Sequence, residues 1–121
     1  MTKNRNSKQY DLEDRTLKYA MDVRSFVKRL PRTTGNIEDG KQLIRASGSM
    51  GANYIEANEA LSKKDFIMRI KISRKEAKES RYWLRLVDTN GVQELEADGK
   101  ALIKEATELM NIFGSILQKS Q

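Results

Sequence analysis

Residues 66–87 carry the feature that most constrains this chain. Phe66, Ile70, Ser73, Ala77, Ser80, Leu84 and Val87 recur at intervals of four, three, four, three, four and three. Such alternation places all seven side chains along one seam of an α-helix and is incompatible with the two-residue period of a strand. The middle of the seam is small (serine, alanine, serine), so a neighbouring helix can approach closely there. A helix with a seam this long needs partners of similar length to cover it.

The rest of the chain supplies them. The pattern predicts a first helix over about Leu12 to Leu30, with Asp11 as N-cap and Pro31 as its stop. Its apolar stripe is Tyr19, Ala20, Val23, Phe26, Val27 and Leu30. A second helix is expected from about Asn36 to Ala60, with Leu43, Ala46, Met50, Tyr54 and Ala57 in one stripe. Ile37, Gly40, Ile44, Ser47, Gly51 and Ile55 form another beside it. Two readings of "SGSMG" in its middle compete: a loop that breaks the helix, or small residues that admit a neighbouring backbone. Interior helical glycines cost about 1 kcal/mol each, but the small residues fall at helical spacing and apolar residues flank them, which favours the close approach. Ser62, with Asp65 three residues on, marks the start of the third helix as a capping box, and "DTNG" marks its end. A fourth helix, about Glu94 to Lys119, repeats the spacing in Leu95, Gly99, Leu102, Ala106, Leu109, Phe113 and Ile116, widened by Ile103, Met110 and Leu117.

Four amphipathic helices with short connections predict an all-α antiparallel up-down-up-down four-helix bundle. It forms a single domain over residues 11–119, preceded by a basic flexible tail at residues 1–10. No run of apolar residues approaches the roughly 20 that a membrane span requires, and "MTKNRNSKQ" does not read as a secretory signal. The absence of cysteine excludes disulfides and suits a cytoplasmic protein.

The formal charge of +6 has a definite location. Residues 63–85 hold nine basic and three acidic residues, and the fourteen of each sign elsewhere cancel. At about 100° per residue, Lys71, Arg74, Lys75, Lys78, Arg81 and Arg85 fall in one sector of the third helix, joined by Lys64. Asp65, Glu76 and Glu79 lie on the opposite flank, together with Ile72 and Trp83. The cation sector is suited to a phosphate backbone or to an acidic protein partner; the competing reading is a solvated helix face, which is what most charge runs are. The acidic and apolar flank suits either a head-to-tail contact with a second copy, which can close into a ring, or the edge of the core.

Reaction chemistry is missing from the sequence. Without histidine there is no imidazole acid–base catalysis or histidine-ligated metal, and no phosphate-cradling glycine loop precedes a helix. Glu56 and Glu59 lack a partner pair, and Ser47 and Ser49 lack an activating base. The expectation is a non-enzymatic protein with no catalytic residues, metal or cofactor. With no aromatic stacking platform or helix-turn-helix evident, nucleic acid would be held by its backbone.

The segments "YDLEDRTLKYAMDVRSFVKRLP", "GKQLIRASGSMGANYIEANEA" and "SKKDFIMRIKISRKEAKESRYWLRL" resemble the bacterial four-helix-bundle family that includes the 23S rRNA-intervening-sequence proteins, over about residues 10–117. The accessory protein of diversity-generating retroelements is a more distant likeness. The resemblance implies a cytoplasmic bundle assembling as a homopentameric ring with a positive surface suited to RNA or DNA. The residues it carries over are Lys71, Arg74, Lys75, Lys78, Arg81 and Arg85. Some members of that family are labelled ribosomal proteins, but nothing in these residues supports a structural place in the ribosome.

Overall fold

The computed structural model describes the backbone of residues 7–121 and the side chains of residues 12–121. Four helices follow one another: α1 (Ser7–Arg29), α2 (Thr34–Asn58), α3 (Lys63–Leu86) and α4 (Gln93–Ser120). They pack as a bundle in which α2 and α4 each lie beside both α1 and α3. Cross-helix pairs run in opposite directions along neighbouring elements. Val27 meets Gly40 and Thr16 meets Gly51, while Asn53 bonds Arg69 and Asn36 bonds Asp88.

Each boundary has a local cause. Pro31 follows the end of α1, and the Thr33 hydroxyl accepts the Asn36 N–H at 3.1 Å to open α2. The Ser62 hydroxyl accepts the Asp65 N–H at 3.0 Å, which is the expected cap of α3. Between α3 and α4, Asn90 and Gly91 adopt φ of 57° and 70°, a left-handed pair that asparagine and glycine tolerate best. The start of α1 differs from expectation. The helix begins at Ser7, so Asp11 lies inside it rather than at its cap, and Ser7–Tyr10 are helical. Residues 1–6 of the expected tail lie outside the described residues.

The seams sort as the spacing predicts. Tyr19, Val23, Phe26, Leu43, Met50, Ile70, Ala77, Leu109 and Phe113 are buried, and Tyr54 and Phe113 stack across the core with ring centroids 5.9 Å apart. Burying side chains of this size contributes about 1.5–3 kcal/mol each. The second stripe of α2 divides: Gly40 and Ser47 are buried, but Ile37 and Ile55 are 38% and 50% exposed. These isoleucines sit at the outer edge of the stripe, past the line on which α1 packs. Burial also pushes the Tyr19 phenol above its ordinary range.

The "SGSMG" segment is unbroken helix. A Cβ at Gly51 would lie 2.8 Å from Thr16 Oγ1, and one at Gly40 would lie 2.9 Å from Val27 Cγ1, so α1 crosses α2 too closely for a side chain at either position. Gly48 meets nothing within 4 Å, and packing does not explain it. In the α3 seam, the Ser73 hydroxyl donates to the Met50 carbonyl at 2.9 Å, a bond possible only where the two helices are in close contact. At one end of the bundle, Asn36 ties two turns together. Its amide nitrogen donates to the carbonyls of Pro31 (2.9 Å) and Asp88 (2.8 Å), and its oxygen accepts the Asp88 N–H (2.9 Å).

Candidate nucleic-acid interface

α3 is held to α2 along its small-residue seam, and this fixes which way its two charged flanks point. Lys71, Arg74, Lys75, Lys78 and Arg85 are exposed, and Arg81 is half-buried. None of the six forms an ion pair among the described residues. Arg81 reaches toward α4, where its guanidinium donates to Thr107 Oγ1 at 3.3 Å. From Lys71 to Arg85 the row extends about 21 Å at 1.5 Å per residue. Apart from the adjacent pair Arg74 and Lys75, its members recur every three or four residues, or about 4.5–6 Å along the axis.

The acidic flank is different. Arg45 of α2 reaches across to it, pairing with Glu79 at 3.0 Å and approaching Glu76 at 3.7 Å. Glu76 is buried, and its second carboxylate oxygen has no hydrogen-bond partner. Asp65 follows the α3 cap and is half-buried. Ile72 and Trp83 are also half-buried, and Trp83 packs against the core cluster with its indole nitrogen enclosed and unpartnered. The five residues expected at a subunit contact thus share one flank. Two of them already engage Arg45, and one supports the core.

Two cations that the sequence reading passed over adjoin the row. Lys100 and Lys104 lie seven and three residues before Thr107 on α4, so the helix repeat carries all three on one side, and both lysines are exposed. The contact between Arg81 and Thr107 sets that side of α4 against the cation sector of α3. The spacing of Lys100, Lys104 and Thr107 was visible in the sequence. The facing of α4 toward α3 was not.

Three acids of α4 are directed elsewhere, whereas Glu96 accepts from the Thr89 hydroxyl at 2.7 Å in the turn between α3 and α4. Glu105 and Glu108 both bind Arg15 of α1, at 2.7 and 2.8 Å, and Asp98 binds Arg29 at 2.9 Å. These carboxylates tie α1 to α4 and leave the α3–α4 side predominantly basic. Among the described residues, no group of three or more histidine, cysteine, aspartate or glutamate side chains is arranged to hold a metal ion, and no helix is long and apolar enough to cross a membrane.

Fold and surface together define a small helical bundle with a cation row along one helix that has no ion pair among the described residues. The family model described as "23S rRNA-intervening sequence protein" matches residues 8–115, and the chain belongs to that family. Its fold is similar to the crystal structure of a protein of unknown function from the S23 ribosomal protein family of Bacteroides thetaiotaomicron. That likeness has a TM-score of 0.75 and 30% identity, covering 88% of this chain and 97% of the other. A search of curated proteins returned no match.

Proposed function

We propose that this protein is a non-enzymatic, cytoplasmic nucleic-acid-binding protein that holds the phosphate backbone of RNA or DNA on the cation row of α3. One observation carries this reading. Six basic side chains on one face form no ion pairs among the described residues, while the acids on the opposite flank of the same helix are drawn to Arg45. A row left without counter-charges attracts a polyanion, and release of condensed counterions supplies the affinity.

The test is charge reversal. A variant carrying Lys71→Glu, Arg74→Glu, Lys78→Glu and Arg81→Glu keeps its helical circular dichroism and loses affinity for a structured rRNA fragment by more than about a hundredfold at moderate salt. For the wild type, log K falls with log salt at a slope of about −0.9 per phosphate contacted. Unchanged binding by the reversed variant sinks the reading.

A second reading concerns assembly. Met68 and Leu86, 52% and 49% exposed, lie on the outer side of α3 next to the Ile72 and Trp83 flank. That strip suits a contact between copies, and the family resemblance suggests a homopentameric ring. Native mass spectrometry of Trp83→Ala and Glu79→Lys separates the possibilities. A monomeric mass for either variant, from an oligomeric wild type, supports the flank as a subunit contact; an intact oligomer in both counts against it. On this reading the cation row would meet an acidic protein partner instead of nucleic acid.

A further inference from the structure

Tyr82 is an exposed aromatic side chain set within the cation row. It is 58% exposed. Lys78 lies one turn before it and Arg85 one turn after it, both exposed and neither in an ion pair among the described residues. The acid nearest in sequence, Glu79, is held by Arg45 at 3.0 Å. The Tyr82 ring is braced by Trp83, whose ring stands against it edge to face, with centroids 5.0 Å apart and planes at 80°. Trp83 is in turn packed against the core. The phenol is therefore backed by a side chain that is itself anchored.

An aromatic ring that stands in water among unpaired cations has the two components that single-stranded nucleic acid requires: a flat face for a base, and positive charge for the phosphates beside it. We propose that Tyr82 is a stacking platform for one unpaired nucleobase, with the flanking phosphates on Lys78 and Arg85. This rests on the reading of the α3 row as a phosphate-binding surface and narrows it, because a fully paired duplex has no free base face to offer. Lys78 and Arg85 are about 10.5 Å apart along the helix axis at 1.5 Å per residue. Their long side chains can close on two phosphates that bracket one stacked nucleotide. Charge complementarity favours this occupant over a second copy of the chain, since Glu76 and Glu79, which a copy would bring to Lys78 and Arg85, are already engaged by Arg45.

The experiment uses the full chain and three probes of equal length: a single-stranded oligo-uridylate, the same backbone with abasic sites, and a blunt RNA duplex. Trp83 is the only tryptophan in the chain, so its emission reports from beside Tyr82. The wild type is expected to bind the base-bearing strand on the order of tenfold more tightly than the abasic strand, with a change in Trp83 emission that the duplex does not produce. Tyr82→Ala abolishes that preference and leaves abasic binding unchanged, whereas Tyr82→Phe, which keeps the ring, retains it. Equal wild-type affinity for the base-bearing and abasic strands overturns the stacking site but leaves the phosphate row standing. Absence of binding to all three probes overturns both readings. A Tyr82→Ala protein of lower oligomeric mass with an intact base preference assigns the ring to contact between copies and overturns the proposal as well.

Discussion

Both flanks of α3 carry charged residues, but the two have opposite roles. On the α2 side, Glu76 and Glu79 meet Arg45, and Arg69 donates to Asn53 Oδ1 at 3.0 Å, so charge on that flank is used within the fold. On the α4 side, six basic residues have only the Arg81–Thr107 bond among the described residues. Position relative to the neighbouring helix decides between these outcomes, and charge alone does not. A charged residue that faces a partner across a packed seam becomes structure, while one that faces away retains its field. The difference also explains why an excess of basic residues can gather on one helix at little cost in stability. Each like-charged neighbour on an exposed face costs only a few tenths of a kcal/mol, and solvent and salt screen it.

Substitutions on the two sides should separate accordingly, measured by urea unfolding. The largest effect is expected in the seam. Ala77 is fully buried in the small-residue seam of α3, and Ala77→Leu should overpack it and cost about 1–3 kcal/mol. Lys78→Leu, one residue on and facing water, should change stability by less than about 0.5 kcal/mol. Equal effects from the two would mean that the seam is not close-packed. A smaller loss is expected from Arg45→Ala, which removes the one cation paired with buried Glu76 among the described residues; about 1–2 kcal/mol is the scale for a buried acceptor left without its partner. Wild-type stability in that variant would place the pair among ordinary surface ion pairs and free the acidic flank for an external partner. The smallest change belongs to Lys75→Ala, within about 0.5 kcal/mol, with its effect appearing in nucleic-acid affinity instead.

Much of the fold was legible because amphipathic spacing is a local property. The α3 seam, its Ser62 cap and the stripes of α1 and α4 follow from the order of residues, and the structure places them as that order implies. The misses have particular causes. Ser7–Tyr10 carry no apolar period to signal a helix, so the start of α1 could not be read. "SGSMG" is not among them: its small residues at helical spacing favoured a close crossing over a loop, and the segment is helix. Thr16 occupies the space that a Gly51 side chain would need. Tyr82 was not legible as a platform, because its relation to Trp83 and the cations emerges only when exposure is known.

At the candidate site, the angular sector of Lys71, Arg74, Lys75, Lys78, Arg81 and Arg85 was already contained in the sequence. About 100° per residue fixes where each side chain lies around its own helix axis, whatever surrounds it. The sequence by itself therefore determined four helices, the faces they bury and the confinement of the charge excess to one helix. Tertiary structure alone decided what each outward face meets: Arg45 against the acids, Thr107 with Lys100 and Lys104 beside the cation row, and Asn36 joining two turns 52 residues apart. The physical reason is that periodicity specifies rotation about one axis only. The rotation of one helix relative to another is set by close packing of small residues along their shared seam.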